Sequence, residues 1–101
     1  MRIIAMSALR HFWDKHPQAE VPLRSWYADA MRAEWKTPAD VKAQFGNASI
    51  VGDNRVVFNI KGNDFRLVVA VVYRAGVLFV KFVGTHEEYD RINVATVERK
   101  A

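Results

Sequence analysis

Residues 65–73 read F R L V V A V V Y, a run with one charge and no alternation of polar with apolar side chains. A strand of that kind has to be covered on both faces, which places it in the middle of a sheet. Turn signals bound it on either side, Gly62-Asn63 before it and Arg74-Ala75-Gly76 after it. The neighbouring runs are rich in β-branched and aromatic residues. Together they predict two consecutive hairpins built from strands over residues 56–61, 64–73 and 77–84.

The first half of the chain has a different period. After a short strand predicted over residues 2–5, Met6, Leu9, Phe12, Trp13 and His16 recur at helical spacing until Pro17. A second helix is predicted over residues 22–35, with Leu23, Trp26, Tyr27, Ala30 and Met31 on one face. Its tryptophans suit the core or a protein partner, and Trp26 or Trp35 is the candidate anchor for a partner. Thr37, Pro38 and Asp40 supply an N-cap, a first-turn proline and an acidic third position for a short helix ending at Gly46-Asn47. Near the C-terminus, Thr85 and Glu88 have capping-box spacing, so the last strand runs straight into another helix. The expected fold class is α+β, with N-terminal helices packed on a small, mainly antiparallel twisted sheet and a short C-terminal helix. One domain covers residues 1–101.

Half of the residues are apolar, enough for a single core in a chain of this length. Cysteine is absent, which removes disulfides, thiolate nucleophiles and thiolate metal sites. The longest charge-free apolar stretch, closed off by Arg66 and Arg74, is far shorter than the ~20 residues of a membrane span. A cytoplasmic protein with no membrane partner is the expectation. The net charge is +4, and residues 54–84 alone carry Arg55, Lys61, Arg66, Arg74 and Lys81 against Asp64. That surplus predicts a cationic sheet suited to a polyanion or an acidic protein, with a charged, aggregation-resistant sheet edge as the plain alternative. No HExxH, GxGxxG, GxSxG or P-loop string is present. His11 and His16 lack partners at metal-ligand spacing and are read as structural or surface residues, so neither a metal nor a cofactor is expected.

Hairpin register gathers distant residues. A two-residue turn at Gly62-Asn63 pairs Lys61 with Asp64 and sets Asn59 opposite Arg66. The next hairpin then brings Arg66 opposite Gly84 or Thr85, beside a helix on which His86, Tyr89 and Asp90 share a face. Asn59, Lys61, Arg66, His86, Tyr89 and Asp90 therefore converge at one end of the central strand. Metal-independent RNA cleavage needs such a set: a base for the ribose 2′-OH, an acid for the leaving 5′-oxygen and a cation for the growing negative charge. Imidazole serves as acid or base, arginine grips phosphate bidentately, a helix N-terminus favours an anion, and tyrosine bonds to or stacks on a base. The same residues also admit a structural reading, with His86 on the surface, Tyr89 packed on its sheet and Asp90 paired with Arg91 or Arg66.

Two segments resemble the HigB family of bacterial type II toxins, relatives of the RelE/ParE-like superfamily. They are Phe58-Asn59-x-x-Gly62-Asn63-x-x-Arg66 and Thr85-His86-x-Glu88-Tyr89-Asp90. The likeness extends to the opening strand, the A L R H F W helix and the T P A D V K A Q F segment. It implies a RelE-like fold and an endoribonuclease toxin that cuts mRNA on the translating ribosome. A helix-turn-helix antitoxin of the HigA type would silence it, and the pair would bind operator DNA only through that complex. Asn59, Gly62, Asn63, Arg66, His86, Tyr89 and Asp90 stand where the family pattern has them. From chemistry, Arg66, His86 and Tyr89 are the catalytic candidates, and Asn59, Lys61, Asn63, Lys81 and Asp90 the RNA-binding ones. Two alternatives remain open: a ParE-like toxin that binds a protein such as gyrase without catalysis, and an RNA-binding module without turnover.

Overall fold

In the computed structural model, which describes residues 1–98, strand β1 (Arg2–Ile4) leads into α1 (Met6–Lys15). Leu9, Phe12 and Trp13 are buried on one face of this helix, and it stops where Pro17 follows the C-cap residue His16. A 3₁₀ turn, Pro17–Ala19, opens into α2 (Glu20–Arg32). This helix begins before Pro22 rather than at it. The first four N–H groups of a helix have no intrahelical acceptor, so a proline in the first turn forfeits no hydrogen bond. It ends at Arg32, where Ala33 turns extended, and Trp35 lies outside it.

Neither tryptophan is available to a partner, because Trp26 and Trp35 are each 3% exposed. Both pack against Phe58, Trp26 edge-on with ring centres 5.3 Å apart and Trp35 stacked at 6.1 Å. Trp35 Nε1–H donates to Gln44 Oε1 at 3.0 Å. Gln44 ends α3 (Pro38–Gln44), whose start is fixed by a capping box between Thr37 and Asp40.

The sheet is completed by β2 (Ser49–Val51), β3 (Arg55–Ile60), β4 (Phe65–Val72) and β5 (Val77–Thr85), in the order β1-β5-β4-β3-β2. β4 is the middle strand, as its two apolar faces require. All pairs are antiparallel except β1 with β5. β2 has no counterpart among the strands expected from sequence, since three residues carry no periodicity. Its signal lies in the turn that follows, Gly52-Asp53-Asn54, where Asp53 and Asn54 have φ of 61° and 59°. Asp and Asn tolerate that left-handed region better than most residues.

The two faces of the sheet are covered differently. Val56, Phe58 and Ile60 of β3, with Phe65, Leu67, Val69 and Val71 of β4, join Leu9, Trp13, Leu23 and Trp26 in the helical core. Alternation along the same strands puts Arg55, Val57, Arg66 and Val68 on the opposite face. Val57 and Val68 are buried there too. Residues 92–98 come back to this second face and are held by Arg55, itself 6% exposed. Its guanidinium donates to the carbonyls of Val94, at 3.1 Å, and Val97, and to Glu98 Oε1 at 3.0 Å. Lys81 Nζ binds the other Glu98 oxygen at 2.7 Å. That bond from Lys81, reinforced by Arg55, holds the Glu98 carboxyl below the usual carboxylate range. A single-turn helix, α4 (His86–Tyr89), follows β5. No helix among the described residues is long and apolar enough to cross a membrane.

Candidate active site

The β3–β4 hairpin sets the first part of the site. Asn59 pairs with Arg66 and Ile60 with Phe65. The connecting residues 61–64 form the turn, with Lys61 and Gly62 in the left-handed region at φ 53° and 64°. Gly62 adopts that conformation without strain, whereas Lys61 is held in it by the turn's own bonds. Asp64 N–H donates to Lys61 O at 3.1 Å, and the two side chains form an ion pair at 3.0 Å. Arg66 folds back onto this turn. Its guanidinium donates to the Asn63 carbonyl at 3.1 Å, the Asn63 side-chain oxygen at 3.3 Å and the Phe65 carbonyl at 3.2 Å.

The β4–β5 hairpin supplies the second part. Val72 pairs with Val77 near the turn, but one residue more on β5 interrupts the register between Val68 and Val69. Lys81 is that extra residue, and the bulge moves the partner of Arg66 from Val83 to Gly84. A side chain at Gly84 would meet the Phe82 ring at 2.5 Å and Glu88 Oε1 at 3.0 Å. Glu88 is needed where it stands, for it accepts from Thr85 N at 2.8 Å while Thr85 Oγ1 accepts from Glu88 N at 3.1 Å.

This capping box starts α4, and His86 N–H donates to Asp64 O at 3.1 Å, fastening the helix to the β3–β4 turn. The anion-favouring helix N-terminus expected from sequence does not materialise. α4 is one turn long, and the N–H groups of His86 and Glu88 already have acceptors. Positive charge comes from Arg66, whose guanidinium carbon lies 5.8 Å from the centre of the half-buried Tyr89 ring. His86 Nδ1 lies 3.8 Å from Asp90 Oδ2, with the imidazole 48% exposed. Asp90 thus faces His86 rather than Arg91 or Arg66.

The five cations of residues 54–84 do not act as one surface. Arg55 and Lys81 are tied to Glu98, and Lys61 to Asp64. Arg66 and Arg74 have no carboxylate partner among the described ion pairs. Arg74 stands at the other end of β4, on the rim of a wider cleft of ≈ 550 Å³. Of these five, Arg66 is therefore the one that stands at the corner without a carboxylate partner among the described residues. Asn59, Lys61 and Asn63 lie on the hairpin that carries it, and Lys81 sits farther along β5 with Glu98.

A cleft of ≈ 340 Å³ opens beside the corner, lined by His16, Gln18, Asn63, Asp64, Phe65, Thr85, His86 and Glu87. His16 belongs to the N-terminal half and was not expected here. Hairpin register says nothing about where α1 ends over the sheet. The nearest signal was Pro17, which fixes the end of α1 at His16. No group of three or more His, Asp or Glu among the described residues is arranged to hold a metal ion.

A family model described as HigB toxin, RelE-like toxic component of a toxin–antitoxin system, matches residues 19–92. The chain belongs to the HigB toxin family. The mRNA interferase toxin HigB of Escherichia coli K12 is 30% identical over 92 residues, covering 89% of this chain and 88% of that protein. The mRNA interferase HigB of Shigella flexneri matches to the same extent. The mRNA interferase HigB of Escherichia coli O6:H1 is 24% identical over 94 residues, covering 91% of each chain. The HigB match spans both hairpins and α4 and leaves α1, with His16, outside it.

Proposed function

We propose that this HigB-family toxin is a metal-independent endoribonuclease that cuts mRNA on the translating ribosome in the cytoplasm. The observation that carries the reading is Arg66. Among the described residues it is a cation without a carboxylate partner, facing the Tyr89 ring at 5.8 Å and anchored to Asn63, at the corner where α4 presents His86. A protein-binding toxin needs charge at such a corner but has no use for a titratable group beside it. The names of the E. coli and Shigella relatives, mRNA interferases, support the same reading.

In the proposed reaction the ribose 2′-oxygen attacks the adjacent phosphorus and loses its proton to a base. The P–O5′ bond breaks, and the 5′-oxygen takes a proton from an acid. The products are a 2′,3′-cyclic phosphate and a 5′-hydroxyl, so no external reactant is consumed. Arg66 stabilises the charge that builds on the phosphoryl oxygens, His86 carries a proton, and Tyr89 orients the nucleotide. Asn59, Lys61, Asn63, Lys81 and Asp90 contact the RNA around them. A helix-turn-helix antitoxin silences the toxin, and operator DNA is met through that complex.

The test is single-turnover cleavage of a defined transcript, with and without ribosomes, read by primer extension and end-group analysis. Cyclic phosphate ends, and a His86→Ala rate lower by about 100-fold, are the expected result. Intact transcript with wild-type protein, in cells whose DNA supercoiling collapses on induction, would instead establish the gyrase-poisoning alternative.

A further inference from the structure

His16 is held in place more firmly than a surface residue at a helix end requires. Its N–H donates to Phe12 O at 2.9 Å, and its carbonyl accepts from Ala19 N at 2.8 Å. The imidazole stacks on Phe12, with ring centres 4.5 Å apart and planes 26° from parallel, and lies 5.8 Å from the Phe65 ring. Phe12 and Phe65 are both buried. Stacking engages the face of an imidazole and leaves its two nitrogens free for in-plane partners. Here the ring is half-buried and borders the ≈ 340 Å³ cleft.

Contacts connect this ring to the corner in two steps. Phe65 pairs with Thr85 across β4 and β5, and Thr85 is the N-cap residue of the helix that begins with His86. Two imidazoles, from helices at opposite ends of the sequence, thus border one cleft. Asn63, which accepts from Arg66, lines it as well. The other titratable groups on its walls are Asp64 and Glu87, with Lys15 next to His16 on α1.

We propose that His16 is a second catalytic residue, working with His86 across an RNA phosphodiester that lies between this cleft and the Arg66 guanidinium bonded to Asn63 on its wall. The proposal rests on the ribonuclease reading above. Displacement at phosphorus is in line, so the entering 2′-oxygen and the departing 5′-oxygen lie on opposite sides, and one side chain cannot readily serve both. One imidazole takes the 2′-OH proton as O2′–P forms. The other gives a proton to O5′ as P–O5′ breaks, and the pair is restored by proton exchange with water. Catalysis by two histidines also explains why the structure spends a stacked, well-held imidazole on a polar cleft instead of a third phenyl ring.

The deciding comparison is His16→Phe beside His16→Ala, each in the full chain. Phenylalanine keeps the stack on Phe12 and removes both nitrogens. With folding confirmed by thermal melting, both variants are expected to cleave a defined transcript about 100-fold more slowly than wild type in single turnover. They are also expected to lose one limb of the pH–rate profile, while His86→Ala loses the other. Wild-type cleavage rate and an unchanged two-limbed profile in His16→Phe would overturn the proposal and leave His16 a packing residue. If only His16→Ala is slow and His16→Phe cuts normally, the same conclusion holds. A wild-type protein that cuts no transcript removes the ribonuclease reading, and this proposal with it.

Discussion

The guanidinium carbon of Arg66 lies 5.8 Å from the centre of the Tyr89 ring, so among the described residues this cation faces an arene and not a carboxylate. Its charge stays available to a phosphate while its direction is fixed by Asn63. Arg66→Lys keeps the charge but loses the planar fork that bonds to Asn63 and Phe65. Its cleavage rate is expected to fall about 100-fold, close to that of Arg66→Ala, with RNA affinity falling much less. Near-normal cleavage by the lysine variant would show that point charge alone suffices.

Lys81 reaches a phosphate only if Glu98 yields, because Glu98 Oε2 sits 2.7 Å from its ammonium. Glu98→Gln removes the competing charge. If Lys81 binds RNA, this variant should bind more tightly and show a log–log salt slope steeper by roughly 0.7–0.9. Unchanged affinity and slope would take Lys81 out of the RNA interface.

Acid should loosen the C-terminal segment before it unfolds the domain. The folded-state pKa of Glu98 is lowered, first by the Lys81 hydrogen bond, relative to the unfolded chain. Its stabilising contribution is therefore present above the ordinary carboxylate range and is lost as pH falls through the lower folded value. Relative to the intrinsic exchange rate at each pH, protection of the amides in residues 92–98 should fall on acidification while β4 amides keep theirs. Tail amides that exchange only together with β4 would contradict this. The effect should also shrink in high salt, since the Glu98 side chain is 60% exposed.

Gly84→Ala places a methyl 2.5 Å from the Phe82 ring and 3.0 Å from Glu88 Oε1. The ring or the cap has to move, and loss of the cap alone costs about 1 kcal/mol. Lower melting temperature and slower cleavage should appear together, because the residue opposite Arg66 is the one disturbed. Wild-type melting with full activity would mean that Phe82 rotates away freely.

Arg55→Met tests the other attachment. Three guanidinium hydrogen bonds to residues 94–98 disappear, and stability is expected to fall by about 1–3 kcal/mol in denaturant titration. Cleavage by the folded fraction should be little changed, because Arg55 lies away from α4 on β3.

The hairpins, the central place of β4, the pairing of Asn59 with Arg66 and the capping box at Thr85 were all legible in the sequence. Each depends on neighbours or on a turn of short length. The register between Arg66 and Gly84 was reached by a different route than expected, through a bulge at Lys81 rather than a shorter loop. What stayed hidden depends on contacts distant in sequence. Nothing local to Lys81 or Arg55 announces that Glu98 will pair with both, so a run of five cations looked like one surface. Trp26 and Trp35 carry no mark separating a core residue from an anchor, and only Phe58 between them decides it. The sequence reads His16 as structural or surface; that it borders a cleft with Asn63, Phe65 and His86 depends on residues far along the chain.

The attachment of residues 94–98 to Arg55 also makes the two ends of this face depend on each other. Arg55 lies 39 to 43 residues before its acceptors, so the β3–β4 hairpin forms from near neighbours whereas this contact has to close a long loop. A buried guanidinium without acceptors is costly, so wherever residues 94–98 lift away it has to rehydrate and its face of the sheet to open. One face of the sheet is thus sealed by its helices and the other by a distant segment that Arg55 and Lys81 hold.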